Sequence, residues 1–184
     1  MKKATVLILA ATAAVCASAA KIGTVDMLLL VKNHASYESN KTLLMNTEKD
    51  YRKKLDEMKS EIDAIQDEGQ KVADELRNPM IAPKAKAEAE KSLQSIQARF
   101  MQKQQQMRNE AMRNQQELSA LEARLLKAQA DDLKKTIAAF ASSNGYDVIL
   151  DNAAAVYSKG SLDVTDAVLK KMGVDPAVAR AKEQ

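Results

Sequence analysis

Two prolines with an apolar pair between them, in the stretch LRNPMIAPKAK from Leu76 to Lys86, interrupt a chain that otherwise carries helical periodicity for about a hundred residues. Proline removes a helix hydrogen bond, collides with the preceding turn and pushes the residue before it out of the helical region. Pro79 and Pro83 therefore predict a connection of about five residues, a length that suits antiparallel helices in contact. Upstream, apolar residues fall into heptads, with Leu55, Ile62, Gly69 and Leu76 at one core position and Leu44, Tyr51, Met58, Ile65 and Val72 at the other. One narrow stripe serves one partner helix. Downstream the stripe resumes through Leu93, Ile96, Phe100, Met107, Ala111, Leu118, Leu121, Leu125 and Ala128 towards Ile137 and Phe140. The step from Met107 to Ala111 reads as a stutter, and Lys103 and Asn114 interrupt the seam. Some 40 residues of helix would reach roughly 60 Å before reversing. Gly69 at a core position lowers helix stability by about 1 kcal/mol relative to alanine and predicts a looser outer arm.

What flanks this hairpin is short. The chain opens with MKKATVLILAATAAVCASAA, two lysines, an apolar run and a small-residue end, which reads as a secretory signal over residues 1–20. Cys16 follows the branched Val15, where lipid attachment calls for a small residue, so it is read as lost with the signal. A mature chain without cysteine enters an oxidising compartment with no disulfide to supplement a small core. Oligomerisation is the simplest substitute. Beyond the signal, Ile22 to Val25 predicts a strand and Asp26 caps a brief apolar helix. After the return helix, SSNG predicts a left-handed cap at Asn144 and Gly145, YDVILD a second strand, AAVYS a third, and DVTDAVLKKM a helix capped by Asp163. The fold class expected is α+β: a long antiparallel, coiled-coil-like helical hairpin on a small β body that associates with other copies. The domains expected are a body from residues 21–35 and 141–175, an arm over 36–140 with its tip at 79–83, and a flexible tail over 176–184. Three short strands leave exposed edges that attract another chain.

Several function classes find little support. His34 is the only histidine, no phosphate-binding glycine loop appears, and the acids are scattered along helix surfaces, so neither catalysis nor a metal or cofactor is expected. Loss of Lys2 and Lys3 with the signal brings the net charge from +3 to about +1, too low for a general nucleic-acid binder.

The ends of the mature chain carry a pattern. KIGTVDM, Lys21 to Met27, resembles the opening strand of the Skp (OmpH-like) periplasmic chaperone family. YDVILDNAAAVYSKGSLDVTDAVLKKM resembles its closing segment, through Asp147, Val148, Ile149, Leu150, Asp151, Val156, Tyr157, Asp163, Val164, Thr165, Val168 and Leu169. The resemblance implies a homotrimer whose body strands form a central barrel and whose arms surround a cavity for unfolded outer-membrane proteins, held without ATP. The oligomerisation residues it points to are Ile22, Val25, Val148, Ile149, Leu150, Val156 and Tyr157. The family is described as basic at its arm tips, whereas Asp67 to Arg99 holds six acids and six bases. A peripheral membrane contact would then rest on the apolar Met80 and Ile81. These two either cap the hairpin by folding back on Val72 and Leu76 or form an apolar fingertip. Met101 and Met112, three turns apart, either pack against the first arm helix or offer a soft wall for a client. Arg108 and Arg113 belong to a segment where Arg99, Lys103, Arg108 and Arg113 face only Glu110, a local excess of about three positive charges. The competing class is a structural or adaptor coiled coil of the envelope that binds one folded partner.

Overall fold

The computed structural model of the protein describes residues 20–181, so residues 1–19 of the expected signal, with Cys16, and residues 182–184 of the tail lie outside it. The described residues divide into two compact units, one holding Val31–Lys134 and the other the segment ending at Leu30 with the segment beginning at Lys135.

The first unit is built on two long helices. A short helix α1, Met27–Lys32, precedes them, and α2 runs Tyr37–Leu76, α3 Pro83–Asn144. Proline chemistry sets the break. Helix α2 stops two residues before Asn78, which precedes Pro79 and is thereby disfavoured in helical geometry. Pro83 occupies the first position of α3, where a missing N–H leaves nothing unsatisfied. Between them Asn78 Oδ1 accepts from the Met80 N–H at 3.0 Å and the Asn78 carbonyl from the Ile81 N–H at 3.2 Å. The helices are antiparallel and packed together, since partners advance along α2 as they retreat along α3: Tyr51 with Glu117, Lys54 with Glu110, Glu61 with Lys103, Glu68 with Arg99. The upstream heptad positions all turn inward to some degree, but only Ile62 and Ile65 are buried. On α3 the seam passes through Ile96 and then, past the stutter, through Gln129 and Leu133 in place of the expected Ala128, which is exposed. Gly69 has a packing role as well: a Cβ there would lie 3.2 Å from Ile96 Cγ2, so its absence lets the helices approach.

The second unit is a small α/β core. Strand β1, Ile22–Val25, pairs in parallel with β2, Val148–Asp151, placing Ile22 beside Val148 and Thr24 beside Leu150. Helix α3 ends at Asn144 because Gly145 takes a left-handed φ of 66° and the Tyr146 N–H returns to the Ala141 carbonyl at 3.0 Å. Asp26 Oδ1 accepts from the Leu29 N–H at 2.9 Å, capping α1 as expected of it. Thr165 Oγ1 accepts from the Asp26 N–H at 2.9 Å and donates to Asp163, whose carboxylate also accepts from the Thr165 N–H. This chain of contacts ties β1 to helix α4, Thr165–Lys171, and the core between them is Val25, Leu29, Leu30, Val164, Val168 and Leu169.

Two expectations are corrected here. The segment AAVYS does not form a third strand: Asn152–Ala154 is a 3₁₀ turn and Val156 and Tyr157 stand free of any ladder among the described residues. The segment finds no backbone partner among the described residues, and a strand without a partner leaves its ladder unmade. The tail is also more ordered than expected. Helix α5, Pro176–Ala181, starts with Asp175 Oδ1 accepting from the Ala177 N–H at 2.9 Å and proline at its first position. Ala179 is fully buried and Arg180 pairs with Asp166 of α4 at 2.7 Å.

Candidate functional site

The second unit presents an apolar strip. Ile22 and Val148 lie side by side and remain exposed, as does Leu150, while Val156 is fully exposed and Tyr157 is 80% exposed. Ile149 is half-buried. Val25 departs from the others expected for assembly: at 2% exposure it belongs to the chain's own core. Next to Ile22, the Lys21 Nζ donates to the Asn144 carbonyl at 2.7 Å and sits 4.1 Å from the Tyr146 ring centre, itself stacked on Phe140. Gly23 lies close against the Tyr146 ring, which a Cβ there would approach to 3.1 Å.

In the hairpin unit, two shallow apolar grooves follow the line where α2 and α3 meet. One, of about 410 Å³, is lined by Leu44, Met45, Leu118, Leu125 and Leu126 among others; the second, of about 300 Å³, opens beside Gly69 between Ile65, Leu93, Ile96, Phe100 and Met101. Met80 is exposed at the turn and Ile81 half-buried, so of the two readings of this pair Met80 takes the outward one. Met101 and Met112 are likewise exposed rather than packed away on α2.

The charge expected near Arg99 to Arg113 is largely neutralised. Arg99 pairs with Glu68 at 3.1 Å, Lys103 with Glu61 at 2.6 Å and Arg113 with Glu110 at 3.6 Å. Glu61 and Glu68 come from α2, so a reading along α3 alone overlooks them. Arg108 is the exception: its guanidinium donates to Gln105 Oε1 at 3.0 Å and has no carboxylate partner among the described residues. Glu110, whose side chain is 14% exposed, also accepts from Lys54 Nζ at 2.6 Å. That hydrogen bond holds its carboxyl below the usual carboxylate range, partial burial pulling the other way and the charges of Lys54 and Arg113 adding to the depression. Tyr51 donates to Glu117 Oε2 at 2.8 Å, and this bond, with burial and the nearby carboxylates, raises its phenol above its ordinary value. At the foot of this unit His34 lies 3.1 Å from Asp132 Oδ2 through Nε2 and 2.9 Å from Ser36 Oγ through Nδ1. The sequence signal missed there was Gln129, which is buried because its amide donates to the Val31 carbonyl at 2.7 Å. Among the described residues no group of three or more His, Cys, Asp or Glu side chains is placed to hold a metal ion. Such surfaces can bind and shield chains.

Comparison with known proteins agrees with this architecture. The family model described as outer membrane protein (OmpH-like) matches residues 21–172. A solved structure of a candidate outer membrane chaperone (OmpH-like) from Caulobacter crescentus CB15 superposes with a TM-score of 0.68 at 16% sequence identity, covering 84% of this chain and 85% of that one. No curated protein matches.

Proposed function

Because this chain belongs to the OmpH-like outer membrane protein family, we propose that it is an ATP-independent periplasmic holdase. It takes up unfolded outer-membrane proteins between the arms of a homotrimer and keeps their apolar strands from aggregating. The family match over residues 21–172 carries the reading, with the chaperone assignment of the Caulobacter neighbour beside it. Three features of the chain support its finer parts. The exposed strip Ile22, Val148, Leu150, Val156 and Tyr157 suits pairing with other copies, since an unfinished sheet edge with apolar neighbours gains most by acquiring a strand. The body, residues 21–35 and 141–175, would then assemble while the arm, 36–140, handles client. On the arm Met101, Arg108, Met112 and Arg113, with Met80 and Ile81 at the tip, supply adaptable apolar contact and weak charge. Weak contacts suit a carrier that releases without ATP. The balanced charge around the tip leaves any membrane contact to Met80 and Ile81.

The test is dilution of a urea-unfolded outer-membrane barrel protein with and without this protein. Suppressed aggregation at a modest molar excess is expected, and a native mass of three copies. Unchanged aggregation at large excess would end the holdase reading. Capture of one folded partner, with barrels ignored, would favour an adaptor coiled coil instead.

A further inference from the structure

The eight methionines of the described chain fall into two classes. Met45, Met80, Met101 and Met112 are 61%, 88%, 70% and 58% exposed, and all four lie in the hairpin unit. Met27, Met58, Met107 and Met172 are half-buried. Two of the exposed set are also placed where apolar character matters: Met45 lines the groove with Leu44, Leu118 and Leu125, and Met101 lines the one beside Gly69 with Ile65, Ile96 and Phe100. The sequence has one cysteine, Cys16, so from residue 17 onward no thiol competes with these thioethers for an oxidant.

We propose that Met45, Met80, Met101 and Met112 form a reversible oxidation site through which peroxide weakens the arm's hold on client chains. The inference rests on the holdase reading for its client half. In the step, the thioether sulfur attacks one oxygen of hydrogen peroxide, the O–O bond breaks, the oxygen stays on sulfur as a sulfoxide and the other leaves as water. Sulfur loses two electrons and peroxide gains them. In the return step a dithiol reductase supplies two electrons, its thiols close to a disulfide and the sulfoxide oxygen leaves as water. The physical consequence is local. A flexible apolar side chain becomes polar, so the grooves and the tip lose the soft contact that accommodates unfolded chains of varied shape. The helices themselves persist, because the buried apolar seam positions Ile62, Ile65, Ile96 and Leu133 contain no sulfur and the half-buried seam methionines, Met58 and Met107, are modified later.

The experiment exposes the purified protein to graded hydrogen peroxide and reads each methionine by peptide mass spectrometry. Sulfoxide is expected at Met45, Met80, Met101 and Met112 before Met27, Met58, Met107 and Met172; equal rates, or the reverse order, would overturn the site. At the dose that modifies the first four, the protein needed for equal suppression of barrel aggregation should rise about tenfold, equivalent to about 1.4 kcal/mol. Helical circular dichroism should be unchanged. Treatment with methionine sulfoxide reductases of both stereospecificities and dithiothreitol should restore suppression. The variant M45L/M80L/M101L/M112L, whatever its own starting activity, should no longer respond to peroxide. Unchanged suppression by fully sulfoxidised protein, a loss that the reductases cannot reverse, a loss of helix, or a variant that still responds would each overturn the inference. If unoxidised protein suppresses nothing, the holdase reading falls and takes the client half with it, while the order of modification is judged on its own.

Discussion

The body and the hairpin are stabilised in different ways by the same chain. The body closes around Val25, Leu29, Leu30, Thr165, Val168 and Leu169, each with almost no surface left, although it draws on far fewer residues than the hairpin. In Val31–Lys134 only Leu133 is as deeply buried, and the rest of the seam consists of positions such as Ile62, Ile65 and Ile96 that keep a few per cent exposure, flanked by half-buried neighbours. A three-dimensional core couples every residue to several elements at once, whereas a helical seam is close to one-dimensional and each layer depends mainly on its neighbours. The hairpin adds cross-helix ion pairs where it lacks apolar depth. Exposed pairs of this kind contribute little each, about 0–1 kcal/mol. The difference suits the proposed division of labour: a rigid base for assembly, and arms that open locally.

The sharpest way to break this comparison is to truncate one residue in each unit. Leu169→Ala removes a side chain with 0% exposure from the meeting point of α4 and β1, and should cost about 2–5 kcal/mol, lowering the urea midpoint of the whole body. Its loss should register in hydrogen exchange across β1, β2, α1 and α4 together. Ile96→Ala, at 4% exposure beside the groove at Gly69, should cost about 2 kcal/mol or a little more. There the faster exchange should stay near Ile65, Gly69 and Ile96, leaving the body protected. If Ile96→Ala loosened β1 and α4 as well, the two units would be one cooperative block and the contrast would be wrong.

Much of the hairpin was legible in the sequence because its signals are local and repeated. Two prolines and a heptad stripe are enough to place α2 and α3, and Pro83 opens α3 as its chemistry requires. The parts that escaped all depend on a partner far along the chain. Gln129 carries no apolar signal, and its burial follows only once the Val31 carbonyl is placed against it; the stripe points to Ala128 instead. The positive segment of α3 looks unbalanced until Glu61 and Glu68 arrive from the opposite helix. The same limit acts on AAVYS, whose residues favour a strand that finds no partner among the described residues. The tail is a different case: Asp175 followed by Pro176 is a helix-start signal local to the sequence, and helix α5 begins there. Of the candidate surfaces, the strip Ile22, Val148, Leu150, Val156 and Tyr157 was visible as pattern, but only packing could separate Val25 from it.

A smaller effect sharpens the comparison from the polar side. Asn114 sits in the seam at 5% exposure, and its Nδ2 has no hydrogen-bond partner among the described residues. A buried amide donor left unmatched costs about 1–3 kcal/mol, so replacing it by an apolar residue of similar volume relieves the seam. Asn114→Leu should stabilise the hairpin by about 1 kcal/mol, seen as slower exchange around Asn114 and no change in the body. A destabilised hairpin would show that the amide is matched after all and that the middle of the arm is better packed than the contrast holds.

The smallest expected effect concerns pH and tests whether ion pairs matter to the arm at all. The Lys54 hydrogen bond holds Glu110 below its ordinary value of 4.5, so as pH falls the unfolded chain takes up this proton before the folded one does. The stabilisation is therefore complete above the ordinary value and is lost as pH drops through the lower folded value. Tyr51 works at the other end: its phenol, raised above 10.0 by donation to Glu117, stabilises the folded arm at neutral pH and ceases to do so as pH rises through the raised value. In the urea midpoint measured from about pH 7 down to about pH 3, Glu110→Gln should flatten part of the acid slope, because the amide cannot gain a proton. Lys54→Met should flatten it similarly, since it removes the partner responsible for the depression. Were both variants to keep the parent's slope, the acid sensitivity of the arm would reside elsewhere and its stability would rest on the apolar seam alone. In that event the arm would differ from the body only in the thinness of its core and not in the kind of interaction that holds it.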